Sequence, residues 1–585
     1  MKALMGYFRE ILFLLGGDKS KLPWMVFLFL MVSLLDAIGI GMMGPYISLI
    51  IDPISEESKI FKDFVSAIGV SSEGTMLLIV ISSALIGLFF IKGLAGVFIL
   101  RMIVSFSYKQ QVRLRSHLMH TYQSMQYVEY INRNSAEYIY AIQDLVSIFT
   151  GKILMLGLKT LSDILMAITI IAVLAWTNIE LLSVLLLMIS IIAVIYDQLI
   201  RKSIQVYGKE ANIASTKMLK GVKEGILGMK ELRVLGKSRY FHGVVYKEAA
   251  EYADKLKKTE VLTNIPRYLI EFMMIGFLCL MVIFELLSEG NVDQILPTLA
   301  MFAVASLKLV PSISSISTGI IQLRFNRNTV SLLYKDLKCF EKYNSTDVDY
   351  QNDEVFDKLT LKSINFNYPN TTKSIINNIN FSIEKKDTIG IIGLSGSGKT
   401  TLIDIILGLL KPQEGEISLN GKKINDHMVV WQKQVAYLPQ QVFIIDDSLR
   451  NNIALGVHPL EINEERIHEA LERSRLKEVV EQLSKGLDTR LGENGISLSG
   501  GQRQRVSLAR AIYHGKKVMI MDEATSALDE ATEKEVANEI RSLKGDVTMI
   551  IIAHRYNTLK YCDRIYRLDK GSIVEETTYE KLINN

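Results

Sequence analysis

The chain has 585 residues, 49% of them hydrophobic, and 66 Lys and Arg against 62 Asp and Glu give a net charge of +4. That length exceeds what one hydrophobic core organises, and the hydrophobic fraction with a positive mean hydropathy argues against a soluble protein of this size. The near-neutral balance argues against nucleic-acid binding, and Cys279, Cys339 and Cys562 are too far apart for a disulfide framework or a CxxC metal site.

The N-terminal stretch MKALMGYFREILFLLGG has Arg9 and Glu10 interrupting its apolar run and no small-residue cleavage site. It therefore reads as an amphipathic interfacial helix rather than a signal peptide. Apolar runs of the length a bilayer requires, about 20 residues, follow at Leu22–Ile51, Met76–Leu100, Ile153–Trp176, Ile179–Ile200 and Ile270–Leu287, with a weaker sixth at Ile295–Pro311. Six spans place both termini on one side. The connections after Leu100 and Ile200 are rich in Lys and Arg, whereas Asp52–Gly74, Asn178–Glu180 and Ser288–Asp293 are acidic or neutral. The positive-inside rule puts the basic connections and both termini in the cytosol. Those connections carry helical periodicity and few breakers, so spans two to five are expected to continue into the cytosol as stalks. The stalk tips, near Tyr127–Glu137 and Gly228–His242, are natural places to touch a soluble domain. Ile60, Phe61, Phe64, Val65 and Ile68 recur at helical spacing on the external side, as in a helix lying on the outer leaflet.

Residues 341–353 are polar and acidic, a linker composition. They divide a helical membrane domain, 1–340, from a domain at 354–585 in which short apolar strands alternate with helices. In the latter, Gly393-Leu394-Ser395-Gly396-Ser397-Gly398-Lys399-Thr400 fits the phosphate-loop pattern between an apolar strand and a helix. Glycines let backbone N–H groups turn inward around phosphates, and the helix start adds positive potential there. Lys399 brings a point charge, Thr400 a hydroxyl for Mg²⁺, and Thr401 extends the nucleotide-binding run. The apolar run Val518–Met521 ends in Asp522 and Glu523. Such a strand end supplies a carboxylate to the Mg²⁺ shell and a base that polarises the attacking water.

Leu498-Ser499-Gly500-Gly501-Gln502, about 20 residues ahead of that strand end, resembles the signature of the ABC ATPases. The resemblance implies an α/β phosphate-loop ATPase domain on an exporter-type fold with six transmembrane helices. It also implies that Ser499, Gly500, Gly501 and Gln502 present a helix N-terminus to the γ-phosphate of an ATP held by another subunit. In order along the chain, Tyr368 matches the aromatic that stacks on adenine, and Gln440 the residue that senses Mg²⁺ and contacts the membrane domain. Glu493 matches the exporter-type X-loop, Ser526–Asp529 the D-loop, and His554 the switch histidine. Lys399, Gln440, Glu523 and His554 are then the catalytic set, and Thr400, Gln440 and Asp522 the Mg²⁺ ligands. One chain holds one phosphate loop and one signature, both intact, so the resemblance implies a dimer of identical chains.

Ionisable residues within spans are functional candidates by default: Asp36 in the first, Lys92 in the second, Lys308 in the sixth, and Arg267 with Glu271 at the start of the fifth. They read either as structural ion pairs and snorkelling lysines or as the positive lining of a cavity for an anionic head group. The first span's GPYISL ending, the external helix after it, IPRYLIE (265–271) and LKLVPS (307–312) resemble the lipid-linked oligosaccharide flippases of the PglK type. LKLVPS carries Lys where that family leads one to expect Arg. The resemblance implies movement of a polyprenyl-pyrophosphate-linked glycan from the cytosolic to the outer leaflet of a bacterial inner membrane. A general lipid or drug exporter of the MsbA kind shares the domain order and is the competing reading.

Overall fold

The computed structural model describes residues 2–51, 74–287, 292–341, 355–369, 374–424, 428–522, 538, 541–553 and 556–584. The external segment 53–72, most of the expected linker, Glu523, Ser526–Asp529 and His554 lie outside the described residues. The chain forms two compact units, Met1–Met125 with Arg133–Thr346, and Gln126–Asn132 with Asp347–Asn585.

The first unit is all helix. In chain order its helices are α1 (Lys2–Leu15), α2 (Leu22–Gly41), α3 (Met43–Ile51) and α4 (Gly74–Ser124). After α5 (Tyr127–Ile131), which belongs to the second unit, come α6 (Ser135–Thr177) and α7 (Ile179–Leu227). The rest are α8 (Met229–Val234), α9 (Tyr240–Leu287), α10 (Val292–Phe325) and α11 (Arg327–Glu341). Among the described residues, six helical stretches are long and apolar enough to cross a membrane. Helix α4 has 51 residues, roughly 75 Å at 1.5 Å per residue, far more than a hydrocarbon core of about 30 Å demands. The same holds for α7 and α9, so the expected stalks are continuous with their spans. The weaker sixth run, expected around Ile295–Pro311, lies within α10, which runs through Pro297 and Pro311 to Phe325. Proline is tolerated within a helix that neighbours hold in place.

Packing explains which apolar residues stay outside. Ile170, Leu174, Leu185, Phe277 and Phe302 form the core between the spans. Ile86, Phe90, Leu199, Phe272 and Phe284 are exposed by two thirds or more, which suits lipid as the solvent. In α1, Tyr7 and Leu14 are buried while Met5, Phe8 and Leu12 are exposed, the two-faced pattern read from the sequence. Pro266 inside α9 cannot donate to the Leu262 carbonyl one turn back, and the Tyr196 hydroxyl of α7 donates to that carbonyl instead. At Gly208 of α7 a Cβ would run into the backbone carbonyl of Phe325 at the end of α10. At the stalk end, Arg133 pairs with Asp336 at 3.0 Å and lies over the Tyr138 ring at 4.9 Å, while the Tyr122 hydroxyl donates to Asp336 at 2.6 Å.

The second unit combines two sheets. An antiparallel four-stranded sheet has the order β2-β1-β4-β5, with β1 Lys358–Phe366, β2 Ile376–Glu384, β4 Glu414–Leu419 and β5 Lys422–Lys423. A six-stranded sheet has the order β10-β9-β3-β8-β7-β6. Its strands are β3 Thr388–Ile392, β6 Val435–Leu438, β7 Val518–Asp522, β8 Thr548–Ile552, β9 Arg564–Asp569 and β10 Ser572–Thr577. Strands β9, β3, β8, β7 and β6 pair in parallel, and β10 antiparallel. Strands β3 and β8 are buried at every position, as a parallel sheet covered on both faces requires. Helix α12 (Lys399–Ile406) follows β3 and packs into the core between the sheets. A separate core holds α13 (Leu449–Ile453), α14 (Glu464–Arg473) and α15 (Gly500–Tyr513).

Candidate nucleotide site and membrane charges

Strand β3 delivers the chain to a loop that only glycine-rich sequence can make. Gly396 and Gly398 sit at φ +80° and +100°, where a side chain would be strained. A Cβ on Gly393 would press on the Leu568 carbonyl and come within 2.7 Å of Ser397 Oγ. Lys399 is buried and its Nζ donates to the Gly393 carbonyl at 2.8 Å and the Leu394 carbonyl at 3.1 Å. The lysine thus folds back along the loop it belongs to. Ser397 Oγ is buried without a hydrogen-bond partner, while Ser395, Gly396 and Thr400 are exposed at the mouth. A buried cation, an orphaned hydroxyl and a helix N-terminus around a space closed to side chains fit a phosphate chain. Tyr368 adjoins this loop, its hydroxyl 3.5 Å from Thr401 Oγ1 and its ring edge-on to Phe366 at 5.1 Å.

Beside it, β7 ends at Asp522, paired in register with Ile552 of β8. In the sequence, Glu523 follows Asp522 directly and His554 comes two residues after Ile552. Asp522 Oδ2 accepts a hydrogen bond from the Tyr437 hydroxyl at 3.0 Å. Burial, then Asp522, then Asp404 hold that hydroxyl well above the ordinary tyrosine range. Asp404 of α12 is itself pushed up to about 6 by burial and by the Asp522 charge. Gln440 is exposed two residues beyond β6. Hydroxyl, carboxylate and amide oxygens from Thr400, Asp522 and Gln440 are the donors a hard divalent cation prefers.

The signature lies in the other core. Ser499 caps α15: its Oγ accepts from the Gln502 N–H at 3.2 Å, and Gln502 Oε1 accepts from the Ser499 N–H at 2.8 Å. This capping box fixes the entry of the chain and leaves Gly500 and Gly501 in the first turn without side chains. Arg503 donates to the Leu498 carbonyl at 2.9 Å. Arg510 braces the segment after Gln440 through the Phe443 and Asn452 carbonyls, both at 3.0 Å. Loop and signature therefore belong to different packing layers of the unit.

In the first unit, Asp36 is buried and forms an ion pair with Lys92; Lys92 also lies over the Phe89 ring at 5.2 Å. Lys308 approaches both. Three spans thus bring two cations to one carboxylate. Arg267 and Glu271, read as an ion pair one helical turn apart, make no such pair among the described residues. They line a cavity of about 790 Å³ together with Lys159, Ser306, Ser314 and Thr318. Sequence reasoning missed Lys159 and the half-buried Asp163, although charges inside the apolar run 153–176 are the signal that singled out Asp36. It also missed Tyr437 and Asp404, which become chemical only through what the sheet sets beside them.

Residues 376–526 match the ABC transporter family. The chain is 38% identical over 227 residues to the ATP-dependent lipid A-core flippase of Cupriavidus metallidurans, covering 38% of each chain. It is 40% identical over 236 residues to the protein of that name from Shewanella denitrificans, covering 40% of this chain and 39% of the relative. The match thus spans well under half the length of either relative. A solved structure of a bacterial Atm1-family ABC exporter with ATP bound superposes with a TM-score of 0.73 at 19% identity, over 94% of this chain and 96% of that one. The chain therefore has the exporter-type ABC fold, six membrane-capable helices joined to an α/β phosphate-loop unit. Its second unit carries an ABC transporter domain at residues 376–526.

Proposed function

We propose that two identical chains form an ATP-hydrolysing exporter that flips an anionic lipid-linked sugar from the cytosolic to the outer leaflet. The single observation that carries the ATPase part is the division of labour within the second unit. Lys399, the glycine loop and Asp522 converge at one end of the parallel sheet, while the signature caps a helix in another core. A γ-phosphate held by the loop of one copy is then completed by Gly500 and Gly501 of a second. In this reading Lys399 and the loop hold the phosphates, Tyr368 meets the adenine, and Thr400, Gln440 and Asp522 hold Mg²⁺. When bound, Mg²⁺ neutralises charge on the β- and γ-phosphates. Glu523 orients the attacking water and His554 contacts the γ-phosphate. Both termini and the ATPase unit face the cytosol, and the membrane is a bacterial inner membrane. Replacing Glu523 by Gln should abolish steady-state phosphate release while ATP binding persists; unchanged release would remove Glu523 from the catalytic role.

For the cargo, the supporting features are the Asp36–Lys92–Lys308 cluster and the cavity holding Lys159 and Arg267. Both carry a net positive charge, and in low-dielectric surroundings such charge favours phosphate or pyrophosphate over a neutral drug. With the resemblance in IPRYLIE and LKLVPS, this favours a polyprenyl-pyrophosphate-linked oligosaccharide. Relatives named lipid A-core flippases favour a second reading, a lipid with a phosphorylated sugar head and no polyprenyl tail. In proteoliposomes, a short lipid-linked oligosaccharide should leave the accessible leaflet when ATP is supplied, and R267A or K308A should slow it several-fold. Movement of lipid A or phospholipid, with no movement or ATPase stimulation by the oligosaccharide, decides for the second reading.

A further inference from the structure

Tyr437 has no role in the reading above, yet its position is set by the same register that sets Asp522. Strands β6 and β7 run in parallel with Tyr437 opposite Ile520, so Tyr437 and Asp522, two residues beyond Ile520, project on related faces. Its side chain leans along the strand and spans that offset, placing the hydroxyl 3.0 Å from Asp522 Oδ2. A carboxylate that binds a cation has two equivalent oxygens and a soft terminal torsion. A donor on one oxygen breaks the equivalence. A neutral phenol is suited to this task, since it donates to the carboxylate without bringing a charge that would compete with the cation.

We propose that Tyr437 is a positioning residue for the divalent cation, holding Oδ2 of Asp522 so that the other oxygen faces the phosphate loop. The inference rests on Asp522 being a metal ligand. Removal of the hydroxyl should therefore weaken metal affinity and leave metal-free nucleotide binding alone.

The test uses the full-length protein in detergent or nanodiscs with Mn²⁺ and a non-hydrolysable ATP analogue. Mn²⁺ affinity is read by electron paramagnetic resonance, and analogue binding in EDTA is measured separately. Y437F should raise the Mn²⁺ dissociation constant on the order of 10-fold, the usual effect of losing a partner of a metal ligand. It should shift the Mg²⁺ concentration for half-maximal ATPase activity by a similar factor, with analogue binding in EDTA within twofold of wild type. D522N is the reference. Should D522N leave Mn²⁺ affinity unchanged, the assignment of Asp522 as ligand fails, and the role of Tyr437 with it. Should D522N abolish Mn²⁺ binding while Y437F stays within twofold, Asp522 is a ligand and Tyr437 does not position it. If Y437F fails to fold, Y437L removes the same hydroxyl and is read in the same way: an Mn²⁺ affinity within twofold of wild type overturns the proposal.

Discussion

Asp404 and Asp36 are both buried acids, and they stand in opposite situations. Burial, then the Asp522 charge, push the Asp404 carboxyl up to about 6 in the folded protein. An unfolded aspartate ionises near pH 4. Below both values the group is neutral in both states and costs nothing. As pH rises from about 4 to 6 the unfolded chain gains by ionising while the folded one resists, and the penalty is complete above 6. D404N should thus stabilise the nucleotide-free protein at pH 7.5 by about 1–2 kcal/mol after allowance for solvent screening. The gain should shrink towards zero near pH 4.5, as read by thermal unfolding at each pH. Asp36, by contrast, is matched by Lys92 with Lys308 beside them. D36N leaves two lysines without a counter-charge and should cost roughly 3–5 kcal/mol. The double variant D36N/K92M should be less damaging than D36N alone in thermal unfolding of the solubilised protein. A simple sum of the single effects would mean that the pair is not coupled.

At the scale of elements, periodicity and composition decide a great deal and close contacts decide the remainder. The six spans were legible because roughly 20 apolar residues in a row have few other fates. The stalks were legible because long stretches without breakers do not stay irregular. The sixth run, around Ile295–Pro311, is only the apolar part of its helix, and α10 continues past it to Phe325. Gly208 shows the same limit. Nothing in GKEAN marks it, but α7 and α10 meet there with no room for a methyl group. G208A should force backbone apart and cost about 1–3 kcal/mol, the usual range for overpacking. G243A, with nothing within 4 Å of its Cβ, is the control and should be neutral or slightly stabilising in the same melting experiment.

For the whole molecule the decisive question is how many copies make one ATP site. The loop lies in the core that holds α12, and the signature caps α15 in a separate one. If composite sites form between identical chains, defects in the two parts must complement. Chains carrying K399A alone, or G501D alone, should be inactive in ATP hydrolysis. Mixed assemblies of the two hold one site with both defects and one with neither, so purified hetero-dimers should regain up to half the activity of wild type if the sites act independently. Complete inactivity would mean that the two sites work only together. Activity of either single variant near wild type would contradict the composite site.

The sequence alone determined the class of chemistry. A glycine loop before a helix, a signature before an acidic strand end and six long apolar runs each have a local physical meaning that needs no partner to interpret. They specify a phosphate loop, an ABC transporter domain and helices able to cross a membrane. What only the tertiary structure decided is which charges meet. It paired Asp36 with Lys92 and brought Lys308 to them. It formed no ion pair between Arg267 and Glu271 among the described residues and set Lys159 with them in one cavity. It also joined Tyr437 to Asp522 across two strands 85 positions apart. Local patterns survive in one dimension because backbone geometry repeats over a few residues. The partner of a buried charge is chosen by the register and crossing of distant elements, and no short stretch of sequence records that choice.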